Sequence, residues 1–422
     1  MMSRRLGLRL MVLLAALALV AAACGDDDSS NTTTTTAGGD GTTTTAADAG
    51  MIGDDFTFGM ILVGPENDRG WSQAHFEAGK YVEEKTGATM VSHDKVNPVD
   101  REATTVEQVV DDMIAQGAQL IFATSDDMRD GIEAAAAAHP DVPMIWSSGD
   151  SAWEDGEAYR PDLTNLGNIM GQMYFGKFIA GCAAAMTTET GKIAYLGPLI
   201  NDETRRLANS VYLGAQYCYE NYRGLDPAEL EYEVNWIGFW FNIPGVTLDP
   251  TEVTNAFFDG GADVVVSGID TTEALVRAGQ RAAAGEAVWA IPYDFEDGCA
   301  EAPEVCLGVP YFNWGPSYLD TTTSVIDGSF DAPFLWLGPD WTDINDRDTS
   351  MIGWHDGDGL PSEVAGSITE FIAGLASGEI DLFVGPLNYQ DGAEFIAAGE
   401  QATPVQLWYT KQLLEGVVGA SS

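Results

Sequence analysis

Phe56-Thr57-Phe58-Gly59-Met60-Ile61-Leu62-Val63 runs straight into Gly64-Pro65-Glu66-Asn67-Asp68-Arg69-Gly70-Trp71-Ser72, and this junction decides the fold. The first segment is an apolar run of strand length, of the kind buried on both faces of a parallel sheet. The second is a polar turn that opens a helix, Trp71–Thr86, closed by Gly87 before the next strand, Ala88–His93. Strand, loop and amphipathic helix at these lengths predict a right-handed crossover on a parallel sheet.

The same alternation continues outward. Asp100 can cap a helix with Val106, Val110 and Met113 on one face; Gln119–Thr124 and Val142–Ser147 read as strands around a helix at Arg129–His139. After the polar loop Gly149–Asp162 the pattern restarts with a helix at Asn168–Thr187 and a strand at Lys192–Leu196. Further strands are read at Leu230–Trp236, Ala262–Ser267, Ala287–Pro292 and Cys306–Tyr311, with helices at Glu203–Tyr219, Asp249–Asp259, Thr271–Ala284, Ser317–Asp327 and Pro361–Ser377. The fold class is α/β, with two Rossmann-like lobes: residues 55–148 plus 295–335, and 149–294 plus 336–422. A chain of 422 residues with 45% hydrophobic content can bury two such cores.

Ahead of the lobes, residues 1–23 read as an export signal: Arg4, Arg5 and Arg9, then the apolar run Leu10–Val20, then three alanines before Cys24. Small residues followed at once by cysteine resemble a bacterial lipobox, making Cys24 the lipidated first residue; the alternative is an ordinary secreted protein with a stray cysteine. Residues 24–54, rich in Thr, Asp, Ser, Gly and Ala, read as a disordered tether. The expected location is extracytoplasmic, anchored to the membrane through lipid. Loss of residues 1–23 leaves 16 basic residues against 65 acidic ones, a charge of −49. That field excludes nucleic acid as a partner. Four cysteines remain beyond Cys24 in a disulfide-permissive compartment. Cys299 and Cys306 are close and flank an acidic loop, so they are paired, leaving Cys182 with Cys218; a buried free thiol at Cys182 is the alternative.

Ligands of open parallel sheets bind beyond the carboxyl ends of the strands. In the loop after the first strand, Asn67 and Asp68 can orient a ligand and Trp71 can stack on it, unless Trp71 is simply core. Thr124 and Ser125 follow another first-lobe strand. Asp270 and Thr271 follow a second-lobe strand, where an N-cap is their ordinary explanation. No zinc-type spacing occurs, and the spacing of Asp343, Asp346, Asp348, Asp356 and Asp358 fails a calcium loop, so that tail reads as solvated surface. No metal or cofactor is expected.

Asn67-Asp68-Arg69-Gly70-Trp71-Ser72-Gln73-Ala74-His75, Tyr174-Phe175-Gly176-Lys177-Phe178-Ile179-Ala180-Gly181, Gly191-Lys192-Ile193-Ala194-Tyr195, Asn313-Trp314-Gly315-Pro316 and Phe383-Val384-Gly385-Pro386-Leu387 stand in an order that resembles the basic membrane protein family, the substrate-binding lipoproteins of ABC importers. The resemblance runs from Phe56 to about Gly416. It implies a type I periplasmic binding protein fold, two lobes on a multi-strand hinge, closing on a purine nucleoside or base that is delivered to a permease. It also implies an aromatic from each lobe: Trp71 from the first, and Trp240 from Trp236-Ile237-Gly238-Phe239-Trp240-Phe241, with Phe241 second. Asp294 takes the position of an aspartate that binds sugar hydroxyls, the alternative being a cap on the following segment, and Asn313 and Trp314 either line the hinge side or are structural. Where relatives often carry a basic residue near the ribose or in the helix read from Asn168, this chain has Met170-Gly171-Gln172-Met173-Tyr174, which takes away a contact for a nucleoside's hydroxyls and leaves room for a free base. The expected protein is a monomer without enzymatic activity. The competing readings are a sugar binder or a ligand sensor of the same fold, and a carboxylate-dependent glycoside hydrolase.

Overall fold

The computed structural model describes residues 52–422; Cys24, the signal-like segment and the tether up to Met51 lie outside the described residues. The body is already tied down at Gly53, whose N–H donates to the Thr86 carbonyl at 2.7 Å, inside the stretch read as tether.

Along the chain come β1 (Thr57–Ile61), α1 (Trp71–Thr86), β2 (Thr89–His93), α2 (Val106–Ala115), β3 (Leu120–Ala123), α3 (Arg129–Ala138), β4 (Met144–Ser147) and β5 (Leu166–Gly171). Next are α4 (Tyr174–Thr187), β6 (Lys192–Gly197), α5 (Asp202–Asn221), β7 (Glu231–Trp236), α6 (Pro250–Asp259), β8 (Val264–Ser267), α7 (Glu273–Ala283) and β9 (Trp289–Ile291). After β10 (Gly308–Phe312) and α8 (Gly315–Asp327) the chain adds β11 (Phe334–Leu337), β12 (Ile352–Asp356), α9 (Ser362–Ser377) and, near its end, α10 (Pro404–Trp408). The first sheet has the order β11-β5-β4-β3-β1-β2 and the second β7-β6-β8-β9, every pairing parallel. Each sheet reverses its strand order once, between β1 and β3 and between β6 and β8, and these are the points where loops diverge and leave a crevice.

Two expectations are corrected. Asn168 does not open a helix: residues 166–171 are the buried strand β5, and α4 begins only at Tyr174. The Asn168 amide bonds across the fold, accepting from Ala152 N–H and donating to the Trp146 carbonyl, which fixes an extended strand edge. The pairing of β5 with β4 therefore extends the first sheet past residue 149, and β11 extends it again. Asp100 does not cap α2 either. Thr105 does, in a reciprocal capping box with Gln108, while Asp100 accepts from Asn97.

The helices α4 and α5 pack with almost no side chain between them. A Cβ at Gly181 would lie 2.0 Å from the Val211 carbonyl oxygen, and one at Gly214 would lie 2.1 Å from that of Phe178. A disulfide, Cys182–Cys218, joins the same two helices, and Cys299–Cys306 closes a short loop between β9 and β10. Gly214→Ala is therefore expected to destabilise the protein by about 1–3 kcal/mol, since the backbones must separate. Gly366→Ala, at an exposed site in α9 with open space around it, is expected to stabilise by about 0.5–1 kcal/mol. Denaturant melts of the two variants check the contrast, and equal effects would contradict the close packing.

Candidate functional site

Asp68 shapes the loop after β1. Its Oδ1 accepts from the N–H groups of Gly70 and Gln73, and its Oδ2 from Ser72 N–H, all at 2.9–3.0 Å. Burial nevertheless pushes its pKa up to about 6. The carboxylate is thus committed to the first turn of α1, and it aims Trp71. The Trp71 indole donates to the Thr124 carbonyl at 2.5 Å, joining the two loops at the first sheet's reversal point. Behind it stand Phe312, Trp314 and His75, with ring centroids 5.3, 5.4 and 4.7 Å from that of Trp71. His75 in turn bonds the Tyr318 hydroxyl, which bonds Ser147. This buried aromatic stack leaves Trp71 one position to occupy.

The second lobe supplies the opposite wall. Trp240 donates from its indole nitrogen to Asp127 Oδ2 at 2.8 Å, across the cleft, and its carbonyl accepts from Asp270 N–H. Trp71 and Trp240 line one cavity together with Tyr195, Glu203, Asp270 and Tyr293. The lobes meet tightly here. A Cβ at Gly70 would lie 1.6 Å from the Asp270 carbonyl oxygen, and Arg69 pairs with Glu301 at 2.9 Å on the rim. The enclosed space is about 20 Å³, room for about one water, so a larger ligand needs the lobes apart to reach it.

Asp294, directly after the lining residue Tyr293, is fully buried, in left-handed backbone (φ 75°) in the crossover from β9 to β10. Neither of its carboxylate oxygens has a hydrogen-bond partner, and the buried Tyr195 hydroxyl beside the cavity is equally unpartnered. Burial raises the Asp294 carboxyl well above the usual range, against the pull of Lys177. Asp270 is raised as well, by burial and by the Asp294 charge. Lys177, from α4, is wholly buried: its Nζ donates to the Ser267 carbonyl at 2.7 Å and lies 3.4 Å from the Tyr293 ring centroid. Burial drives its pKa down to about 7. Orphaned acceptors and a poorly solvated ammonium are an arrangement that a ligand bearing both donors and acceptors completes.

Among the sequence-derived candidates, Trp71, Trp240 and Asp270 come together around this cavity, with Asp294 next to it. The others are placed elsewhere. Thr124 and Ser125 are spent on the backbone, Thr124 donating to the Ile61 carbonyl and Ser125 capping a short turn. Phe241 packs edge-on against Phe239, Asn313 donates to the carbonyls of Arg347 and Ser350, and Trp314 is buried behind Trp71. Asn67 is exposed in the loop. Lys177, three residues beyond Tyr174, is a buried basic group packed on the lining residue Tyr293 that the sequence reading did not single out; a lone cation inside the apolar run Tyr174–Thr187 was its signal. Glu203, Tyr195 and Tyr293 carried no comparable mark. In the tail, Asp343 and Asp346 accept from Asn345 and Asp348 backbone N–H groups, and among the described residues no group of three or more His, Cys, Asp or Glu side chains could hold a metal ion.

Two parallel α/β sheets meeting over a closed cleft are the architecture of the type I periplasmic binding proteins. Solved ABC-transporter solute-binding proteins share it: one from Aeropyrum pernix K1 (TM-score 0.60, 17% identity, covering 78% of this chain and 94% of that one) and one from Conexibacter woesei (0.54, 20%, 77% and 98%). A family model described as ABC transporter substrate-binding protein PnrA-like matches residues 56–331, and the chain belongs to that family. A purine-binding protein of Brucella abortus is 28% identical over 82% of this chain and 87% of its own length. A Haloferax volcanii protein named provisionally as an ABC transporter glucose-binding protein is also 28% identical, over 82% of this chain and 78% of its own. Members of this family are solute-binding proteins of transporters, acting outside the cytoplasm and generally without catalysis.

Gly70→Ala is expected to hold the lobes apart, giving a larger radius of gyration by small-angle scattering than wild type with little change in Tm. An unchanged radius would mean that the lobes do not meet at Gly70 in solution.

Proposed function

We propose that the protein captures a purine nucleoside or nucleobase by closure of its two lobes and presents it to an ABC permease, working as a monomer anchored to the membrane through lipidated Cys24. The observation that carries this reading is that Trp71 and Trp240, from opposite lobes, line a single cavity with the unpartnered Tyr195 hydroxyl, and that the unpartnered Asp294 directly follows its lining residue Tyr293. A purine is flat and apolar on its faces and polar at its edges. It suits two indole walls with Asp270 among the polar lining and Asp294 and Lys177 buried behind Tyr293. The Brucella abortus relative, a purine-binding protein by name, supports the same reading. Closure follows from differential contact: the ligand touches both lobes only when they are shut, so binding shifts the population toward the closed form. Phosphorylated nucleotides fit poorly, because the cleft carries more acid than base and the whole protein is strongly negative.

A sugar is the second reading, favoured by the Haloferax volcanii relative and by the affinity of aromatic faces and carboxylates for pyranose rings. Thermal shift and calorimetry on the full-length protein with adenosine, guanosine, inosine, their bases, ribose and common hexoses separate the two. Binding of a purine at about 1 μM or tighter, weakened at least about tenfold in Trp71→Ala, is the expected result. A hexose response with no purine response would replace the purine reading with the sugar one.

A further inference from the structure

Closing the lobes brings acid against acid. Beside the Trp71–Trp240 cavity a chamber of about 160 Å³ runs on between the lobes and shares Asp126, Ser148 and Glu203 with it. Asp126 stands in the turn after β3, on the first lobe, and Glu203 in the first turn of α5, on the second. Asp150, in the loop after β4, and Asp202, beside Glu203, add carboxylates to the same walls. At Trp240 the juxtaposition repeats: Asp270 lies against Gly70 of the first lobe, and Asp127 accepts the Trp240 indole N–H.

The bases nearby are committed elsewhere. Arg206 is 2% exposed, and its Nη1 donates to the carbonyls of Leu407 and Trp408. Arg129 pairs with Glu133 at 3.2 Å and lies over the Trp146 ring. Asp202 takes Arg205 and Lys411, and Asp150 accepts from the Tyr409 hydroxyl. None of these pairs includes Asp126 or Glu203. Burial, with the charges of Asp127 and Asp150, holds the Asp126 carboxyl up to about 6 against the pull of Arg129. Burial holds Glu203 up to about 7, Arg206 and Lys177 opposing and the Asp126 charge across the cleft adding to it. Asp270 is raised by burial first, then by the charges of Asp294, Asp68, Glu203 and Asp127, of which Asp68 and Asp127 belong to the first lobe.

Lys177 is shifted the opposite way, but Ser267, Tyr195 and Tyr293, which surround its ammonium, belong to its own lobe, so parting the lobes leaves those contacts intact. The Tyr195 and Tyr293 hydroxyls, raised by burial, stay protonated. Parting the lobes does change Asp126, Glu203 and Asp270: it hydrates them and takes the acids of one lobe away from those of the other, which returns them toward the ordinary carboxylate range. A form in which carboxyls titrate higher binds more protons, and falling pH favours it.

We infer that shutting the cleft takes up protons, so that the closed form gains as the surroundings turn mildly acidic and gives way as they turn alkaline. The gain is complete below the ordinary carboxylate range and is lost as pH rises through about 6 to about 7, where Asp126 and Glu203 ionise in the closed form. It concerns the motion of the lobes and holds whichever solute the cleft takes. A solute-binding protein built this way grips its cargo more firmly in acid than in base.

Small-angle scattering of the ligand-free, full-length protein tests it, on wild type and on the double variant Asp126→Asn, Glu203→Gln, which removes both titrating groups at nearly constant shape. Between about pH 8 and about pH 5 the wild type is expected to contract, its shut-to-open ratio rising at least about tenfold, and the double variant to be contracted already at about pH 8. Each single substitution is measured as well, so that the comparison stands if the double variant does not fold. A wild-type radius that stays constant or grows in acid overturns the inference, and so do variants that keep the full wild-type response. Neither outcome touches the purine reading, since no ligand is present.

Discussion

The contact on which the cleft depends is one of backbone on backbone: Gly70, at the start of α1, lies against the carbonyl of Asp270 from the other lobe, with no space for even a methyl group. Around that point the two sheets present their carboxyl edges to each other. The loop after β1 and the turn after β3 come from the first sheet's reversal point, and the start of α5 and the turn after β8 from the second's. Most of the cavity's lining is on those segments, in the loop after β7 that carries Trp240, or in the crossovers between the lobes. Such a site is assembled by closure, and open lobes hold only half of it.

Its chemistry is set by an imbalance of charge in a place with little water. Asp270, Asp294 and Glu203 are all held above the ordinary carboxylate range by burial, while Lys177 is held below the ordinary ammonium range. The protein tolerates these costs without bonding Asp294 to anything of its own, although more than nine in ten buried polar groups normally find a partner. Groups kept in that condition at the centre of a cleft are a mark of function. The positioning of Trp71 points the same way. An indole pinned by a hydrogen bond to Thr124 and three aromatic neighbours has lost its rotamer freedom before a ligand arrives, which lowers what binding must spend on ordering it.

Much of this was legible in the sequence. Helix α1 spans Trp71–Thr86 as read, because a polar loop, an amphipathic stretch and Gly87 in left-handed conformation mark both ends. The parallel strands were legible as apolar runs. Residues 166–171 were not: in Leu-Gly-Asn-Ile-Met-Gly neither period stands out, and only pairing with β4 selects the strand. Local reading also turned Thr124 and Ser125 toward the expected cleft, and their hydroxyls each bond a backbone group that sequence cannot see. It overlooked Lys177, since a lysine in an apolar helix takes its meaning from Ser267 and Asp294, about a hundred residues away. Trp408 and Tyr409 were equally out of reach, because the C-terminal segment is placed by long-range contacts, with Arg206 of α5 and with Asp150.

The most direct test of the account is a crystal structure of the protein grown with inosine. The account predicts flat density between the Trp71 and Trp240 indoles, with ligand atoms within hydrogen-bond reach of Asp270 or Asp294. Inosine bound elsewhere, or a shut cleft that stays empty at saturating inosine, would contradict it.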